Sequence, residues 1–198
     1  MNLTGHLAHI CAGDVTSLES DMKFLETMMP YFQGEKIEAL VFILPIGLLC
    51  MVFGGWLLSE GHQGFSRGVA IPFIAMGLVI AVIGGTVGFR TPAQTSQIQQ
   101  SYSANPAETI KSEIVRMEKV NQAWPWYLAI WVISAIVGLG LRLLSTSDFW
   151  SGFGIALVFF SGLGLMIDGF ADRRAQIYSN VIAELSSPVL NTMNSMQR

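Results

Sequence analysis

The sequence predicts an all-α integral membrane protein with four transmembrane helices arranged as two antiparallel hairpins. The first observation behind this is composition: 52% of the 198 residues are hydrophobic and only 13% are charged, against about 25% charged in soluble domains. The second is the spacing of apolar runs, which fall at 39–58, 69–89, 124–144 and 150–169 without a charge near any midpoint. Each run reaches the ~20 residues a helix needs to cross ~30 Å of hydrocarbon. Four runs of spanning length with no charge near their middles are too many for the core of a soluble bundle of this size.

The runs divide the chain into an N-terminal segment (1–38), a first hairpin (39–89), a connector (90–123), a second hairpin (124–170) and a tail (171–198). The polar residues before the first run include no basic stretch with a small-residue cleavage site, so an uncleaved first span is expected. Orientation follows from Lys and Arg. Lys23, Lys36, Arg90, Lys111, Arg116, Lys119, Arg173, Arg174 and Arg198 share one side, while the two short turns hold only Arg67 and Arg142. By the positive-inside rule both termini are then cytoplasmic, in a bacterial cytoplasmic (inner) membrane.

Before the first run, Val15, Leu18, Met22, Leu25 and Met29 make a narrow helical stripe that Pro30 is expected to stop. Its flanks, Asp14, Glu19, Asp21 and Glu26, are acidic, with Lys23 the lone base. Such a helix suits a protein surface better than anionic lipid. Covering this chain's own cytoplasmic helices is the favoured use, and docking to a partner the other. Upstream, His6, His9 and Cys11 lack the fourth ligand of a structural zinc site, so no metal is expected. Cys11 and Cys50 fall in a cytoplasmic segment and a span, which disfavours a disulfide.

In the first span Pro45 predicts a kink, and Gly47, Gly54 and Gly55 offer close helix contact. Glu60 and His62 in the following turn lack a nucleophile or an evident site around them. The second span is patterned more specifically. Gly77, Ala81 and Gly85 recur at four-residue spacing, with Gly84 and Gly88 one position round. Small residues so placed let helix backbones approach in lipid, within the chain by preference or between two copies.

Arg90 and Pro92 are expected to end that span, and 95–104 reads as a Gln- and Ser-rich loop. Asn105 then suits an N-cap, Pro106 a first helical position and Glu108 a capping-box carboxylate. From there Ile110, Ile114, Met117 and Trp124 form one apolar stripe. Trp124, Trp126, Tyr127 and Trp131 mark the membrane entry as an aromatic belt. In the fourth span Gly152, Ala156, Gly162 and Gly164 are contact positions. Asp168 lies near its cytoplasmic end, where Arg90, Arg173 or Arg174 is the expected ion-pair partner. Ile177, Val181 and Leu185 continue a helix as far as Pro188.

The two halves also match each other faintly. Residues 56–59 resemble 142–145, 65–71 resemble 149–155, and Arg90 and Arg174 each close a hairpin. A parallel repeat about an axis along the membrane normal would follow.

The chain holds no Gly-rich phosphate loop, GxSxG elbow, HExxH or paired-Cys motif, so neither enzyme chemistry nor a cofactor is expected. A net charge of −3 without a basic patch argues against nucleic acid. The expected partners are the lipid bilayer and either another protein or further copies of this chain. The favoured function is an adaptor acting through its cytoplasmic face, with Val15, Leu18, Met22, Leu25, Ile110, Ile114 and Met117 as the partner surface. The alternatives are an immunity-type protein that neutralises a membrane-active toxin, and a small oligomeric transporter or channel subunit.

Overall fold

A computed structural model describes residues 22–60 and 63–196, with side chains as far as Ser186. Four helices account for nearly all of them: α1 Met22–Glu60, α2 Gly64–Ala104, α3 Pro106–Leu144 and α4 Asp148–Met196. Each is long and apolar enough to cross a membrane. At about 1.5 Å per residue, 39 residues already reach about 60 Å, roughly twice the hydrocarbon thickness. Half of every helix therefore extends past its apolar run.

That length corrects four expectations. Pro30 does not stop the N-terminal helix, Pro92 does not end the second, 95–104 is helical, and α4 runs past Pro188 to Met196. A proline inside a helix costs about 3 kcal/mol, chiefly through a lost ladder bond and a steric clash. Around Pro30 the compensation is burial. Phe24, Met28 and Phe32 are all fully buried, and each large apolar side chain so placed contributes about 2 kcal/mol. Around Pro92 the compensation is again packing, since Tyr102 further along α2 is buried and stacks on Phe24, and hydroxyls reinforce the adjoining turns. Thr91 Oγ1 donates to the Val87 carbonyl at 2.7 Å, and Thr95 Oγ1 to that of Thr91 at 2.9 Å.

The connector shrinks to one non-helical residue, Asn105 (φ −152°, ψ 91°), whose Oδ1 accepts the Glu108 N–H at 3.2 Å. Before Pro45, where a kink is expected, α1 widens into a π-helical turn over Glu38–Ile43. Within it the Leu44 N–H reaches back five residues to the Ala39 carbonyl. The wide turn accommodates one extra residue without rotating the flanking faces.

α1 lies antiparallel to α2, and α3 to α4, with α2 and α4 joining the two pairs. A constant shift of 84 residues relates the pairs: Glu60 and Gly64 bound the first turn, Leu144 and Asp148 the second. The packing obeys the same shift. A methyl group on Gly54 would strike the Ala70 carbonyl and Ile74, and one on Gly138 would strike the Gly154 carbonyl and Val158. Between the pairs, Gly68 sits on the Phe149 carbonyl and Gly152 on the Phe65 carbonyl, a reciprocal contact. Of the two sequence matches, 65–71 with 149–155 is in register, whereas 56–59 with 142–145 is displaced by two residues. Beyond the wide turn the shift becomes 85. Phe24, Met28 and Phe32 then correspond to Thr109, Glu113 and Met117, all six buried, so the extra residue in α1 is the one taken up by the π-helical turn.

The largest buried core lies at the end opposite the short turns, outside the apolar runs. Phe24, Met28 and Phe32 of α1, Tyr102 of α2, Ile110 and Met117 of α3, and Tyr178 and Ile182 of α4 close on one another. Phe24 stacks on Tyr102 at 4.1 Å between centroids, and Tyr31 on Tyr178 at 4.5 Å. The apolar runs themselves turn much of their surface outward, as Leu49, Val52, Ile136 and Leu143 do. Extensive apolar exposure on such helices suits lipid contact.

Candidate functional site

Among the described residues, the bundle core contains one buried carboxylate. Glu113 falls in phase with Ile110 and Met117, three residues after one and four before the other, so the α3 helix turns it inward, and it is 5% exposed. Its oxygens take hydrogen bonds from Arg116 Nε at 3.0 and 3.2 Å, from Arg116 Nη2 at 2.7 Å and from the Tyr178 hydroxyl at 3.2 Å. The guanidinium rests over the Phe32 ring, 5.6 Å from its centroid. Burial opposes the Arg116 charge, but the hydrogen bond and charge of Glu113 hold its pKa above the ordinary value. Burial, reinforced by the Glu113 charge, pushes the Tyr178 phenol far upward, and burial with the nearby Glu35 raises Tyr31. Buried charge here is paired and hydrogen-bonded, as its desolvation cost requires.

Next to this network, where the bundle meets the apolar runs, lies a second charged layer. Arg174 pairs with Glu38, and Arg90 with Glu35 at 4.0 Å. The two arginines are themselves 84 residues apart, one from each helix pair. Glu35 is held above its ordinary pKa by burial, against the opposing pull of Arg90, Arg116 and Arg174.

Asp168 has a different partner from the one expected. Among the described residues no arginine pairs with it, and its Oδ2 accepts the Trp131 indole N–H at 2.6 Å. Trp131 lies against Gly164, where any side chain would strike the ring. It is thus a packing residue between α3 and α4. At the corresponding positions of the first pair stand Gly47 and Gly84, which let α1 and α2 approach directly. Trp124 packs on the bundle core and Tyr127, while Trp126 and Tyr127 face outward.

Of the expected packing face, Gly77, Ala81, Gly84 and Gly88 lie against α1, at Gly47, Ala39 and Leu40 among others. Gly85 does not belong to that face, because a side chain added there would meet open space. The expected partner surface is corrected likewise. Ile110 and Met117 are buried in the core, and Ile114 and Leu25 pack against it. Bundle formation consumes the stripe. Met22 is exposed, and Val15 and Leu18 lie outside the described residues, as do His6, His9, Cys11 and His62.

A groove of about 450 Å³ opens between α3 and α4 on the outside of the bundle, lined by Ile114, Glu118, Asn121, Gln122, Asn180 and Ala183 among others. Asn121 Nδ2 donates to Ser179 Oγ at 2.9 Å, and the Ser179 hydroxyl spends its proton on the Ala175 carbonyl at 2.7 Å. That chain fixes the amide orientation and leaves Asn121 Oδ1 buried without a hydrogen-bond partner. Sequence reading missed this amide, and also the inward Glu113, whose spacing within the apolar stripe was the available signal.

No family model, curated protein or solved structure matches this chain.

Proposed function

We propose that this chain is a non-enzymatic four-span membrane adaptor in a bacterial cytoplasmic membrane, built from two antiparallel hairpins. The helical bundle and both termini face the cytoplasm, and the α3–α4 groove of the bundle receives a protein partner. The observation that carries this reading is the α3–α4 groove itself, about 450 Å³, which sets the amides of Asn121, Gln122 and Asn180 beside the apolar Ile114 and Ala183 and is large enough for a peptide segment. Continuity of each helix from span to bundle supports a scaffold role, because it fixes the groove relative to the membrane. The excess of Lys and Arg on the bundle side supports the cytoplasmic orientation.

Affinity capture of the tagged chain in mild detergent tests the proposal when run beside Ala183→Trp, which fills the groove from an outward-facing position. The expected result is a protein that co-purifies with the wild type and is lost from the variant. Recovery of only lipid and further copies of this chain would contradict it.

A further inference from the structure

We propose that a second groove, between α1 and α4, binds one anionic phospholipid, with its phosphate on Arg173 and an acyl chain between the two helices. In the Glu38–Glu60 part of α1 the backbone packs on α2 and does not approach α4. The resulting groove, of about 610 Å³, is walled by Phe42 and Ile46 on one side and by Ile167 and Phe170 on the other. Arg173 and Arg174 line it just past the last residue of the fourth apolar run, where headgroups begin, and Gly34, Ile37 and Ile177 carry its wall about one turn further toward the bundle. Glu38 already neutralises Arg174, although the Arg174 Nε remains buried and unpaired. Arg173 has no ion pair or hydrogen bond among the described residues. One uncompensated positive charge at headgroup depth thus lines an otherwise largely apolar slot.

Basic pockets between helices at this level recognise anionic headgroups, and an arginine presents a fork that matches phosphate oxygens. From Arg173 down to Met166 the α4 wall descends about 10 Å, roughly two-thirds of a leaflet's ~15 Å of hydrocarbon. The slot therefore holds most of one chain, which free phosphate could not use.

Thermal unfolding of the delipidated full-length protein in a maltoside detergent provides the test, with phosphatidylglycerol, phosphatidylcholine and inorganic phosphate added in separate titrations. Phosphatidylglycerol is expected to raise the Tm saturably, phosphatidylcholine to act more weakly and phosphate to have no effect. Arg173→Gln should weaken the phosphatidylglycerol effect by about fivefold, and Ile167→Trp, which fills the slot, should abolish it. Ile46→Trp, on the opposite wall, serves if Ile167→Trp does not fold. An equal response of the wild type and Arg173→Gln, or a full response to phosphate alone, would overturn the proposal. Insensitivity to both lipids, with a second copy of the chain crosslinked through Ile46, would overturn it as well.

Discussion

Gly68 on α2 and Gly152 on α4 hold equivalent places, each pressed onto the backbone carbonyl of a phenylalanine from the other helix, Phe149 and Phe65 respectively. A methyl group at either position meets backbone, which cannot move aside as a side chain does. Gly68→Ala and Gly152→Ala are therefore each expected to cost about 1–3 kcal/mol, and to cost similar amounts because the contact is reciprocal. Gly162→Ala, where open space surrounds the added methyl, should be neutral or stabilising by up to about 1 kcal/mol. Unfolding in mixed micelles compares the three, and a large difference between the first two would contradict the pseudo-symmetric arrangement.

The Glu113 network supports a graded expectation. Tyr178→Phe removes one of the donors to a buried carboxylate that retains Arg116, at a cost of about 1–2 kcal/mol. Glu113→Ala strands the Arg116 guanidinium and empties part of the core. Since Arg116 keeps some access to water, the loss should fall near the lower end for breaking a buried pair, about 3 kcal/mol. Paired unfolding curves for the two variants give the order directly.

The π-helical turn can be tested by deletion. Removing Val41 should let Glu38–Ile43 relax to an ordinary helix while Phe32 and Gly47 keep their faces. Removing Leu49, in regular helix, rotates everything before it by about 100° relative to the rest and should prevent folding. Monodispersity on size exclusion and far-UV dichroism distinguish the outcomes, and equal tolerance of both deletions would contradict the assignment.

Glu35 gives the bundle a pH dependence of known sign. Burial raises its folded pKa above the unfolded value despite Arg90 and its neighbours, so the folded state holds this proton more tightly. The associated stability is fully present below the unfolded pKa and is lost as pH rises through the folded one. Relative to wild type, Glu35→Gln should therefore gain in Tm as the pH climbs from about 4 to about 7. A constant difference across that range would show that Glu35 does not carry the effect.

The four helices were legible in the sequence because a run of spanning length with no charge near its middle has few other uses, and the Asn105–Pro106 helix start was legible because its chemistry is local. Helix extent was not. Pro30 and Pro92 read as stops on backbone grounds, and only tertiary burial, of Phe24, Met28 and Phe32 around the first and of Tyr102 beyond the second, overrides them. The stripe through Ile110 and Met117 showed that a face would be covered without showing by what; the answer lay in α1 and α4, distant in sequence. Asp168 invited an arginine on charge alone, yet Trp131 is the residue that helix packing brings within reach. The Asn121 amide depends on the direction of one serine proton, which no spacing in the chain encodes.

Site-specific photocrosslinking in living cells tests the adaptor reading most directly, with the photoreactive residue placed at Asn180 in the α3–α4 groove and, as a lipid-facing control, at Ile136. The expected result is a discrete protein adduct from Asn180 that disappears with Ala183→Trp, and no such adduct from Ile136. Adducts of lipid alone at both positions, or a protein adduct from Asn180 unchanged when the groove is filled, would contradict it.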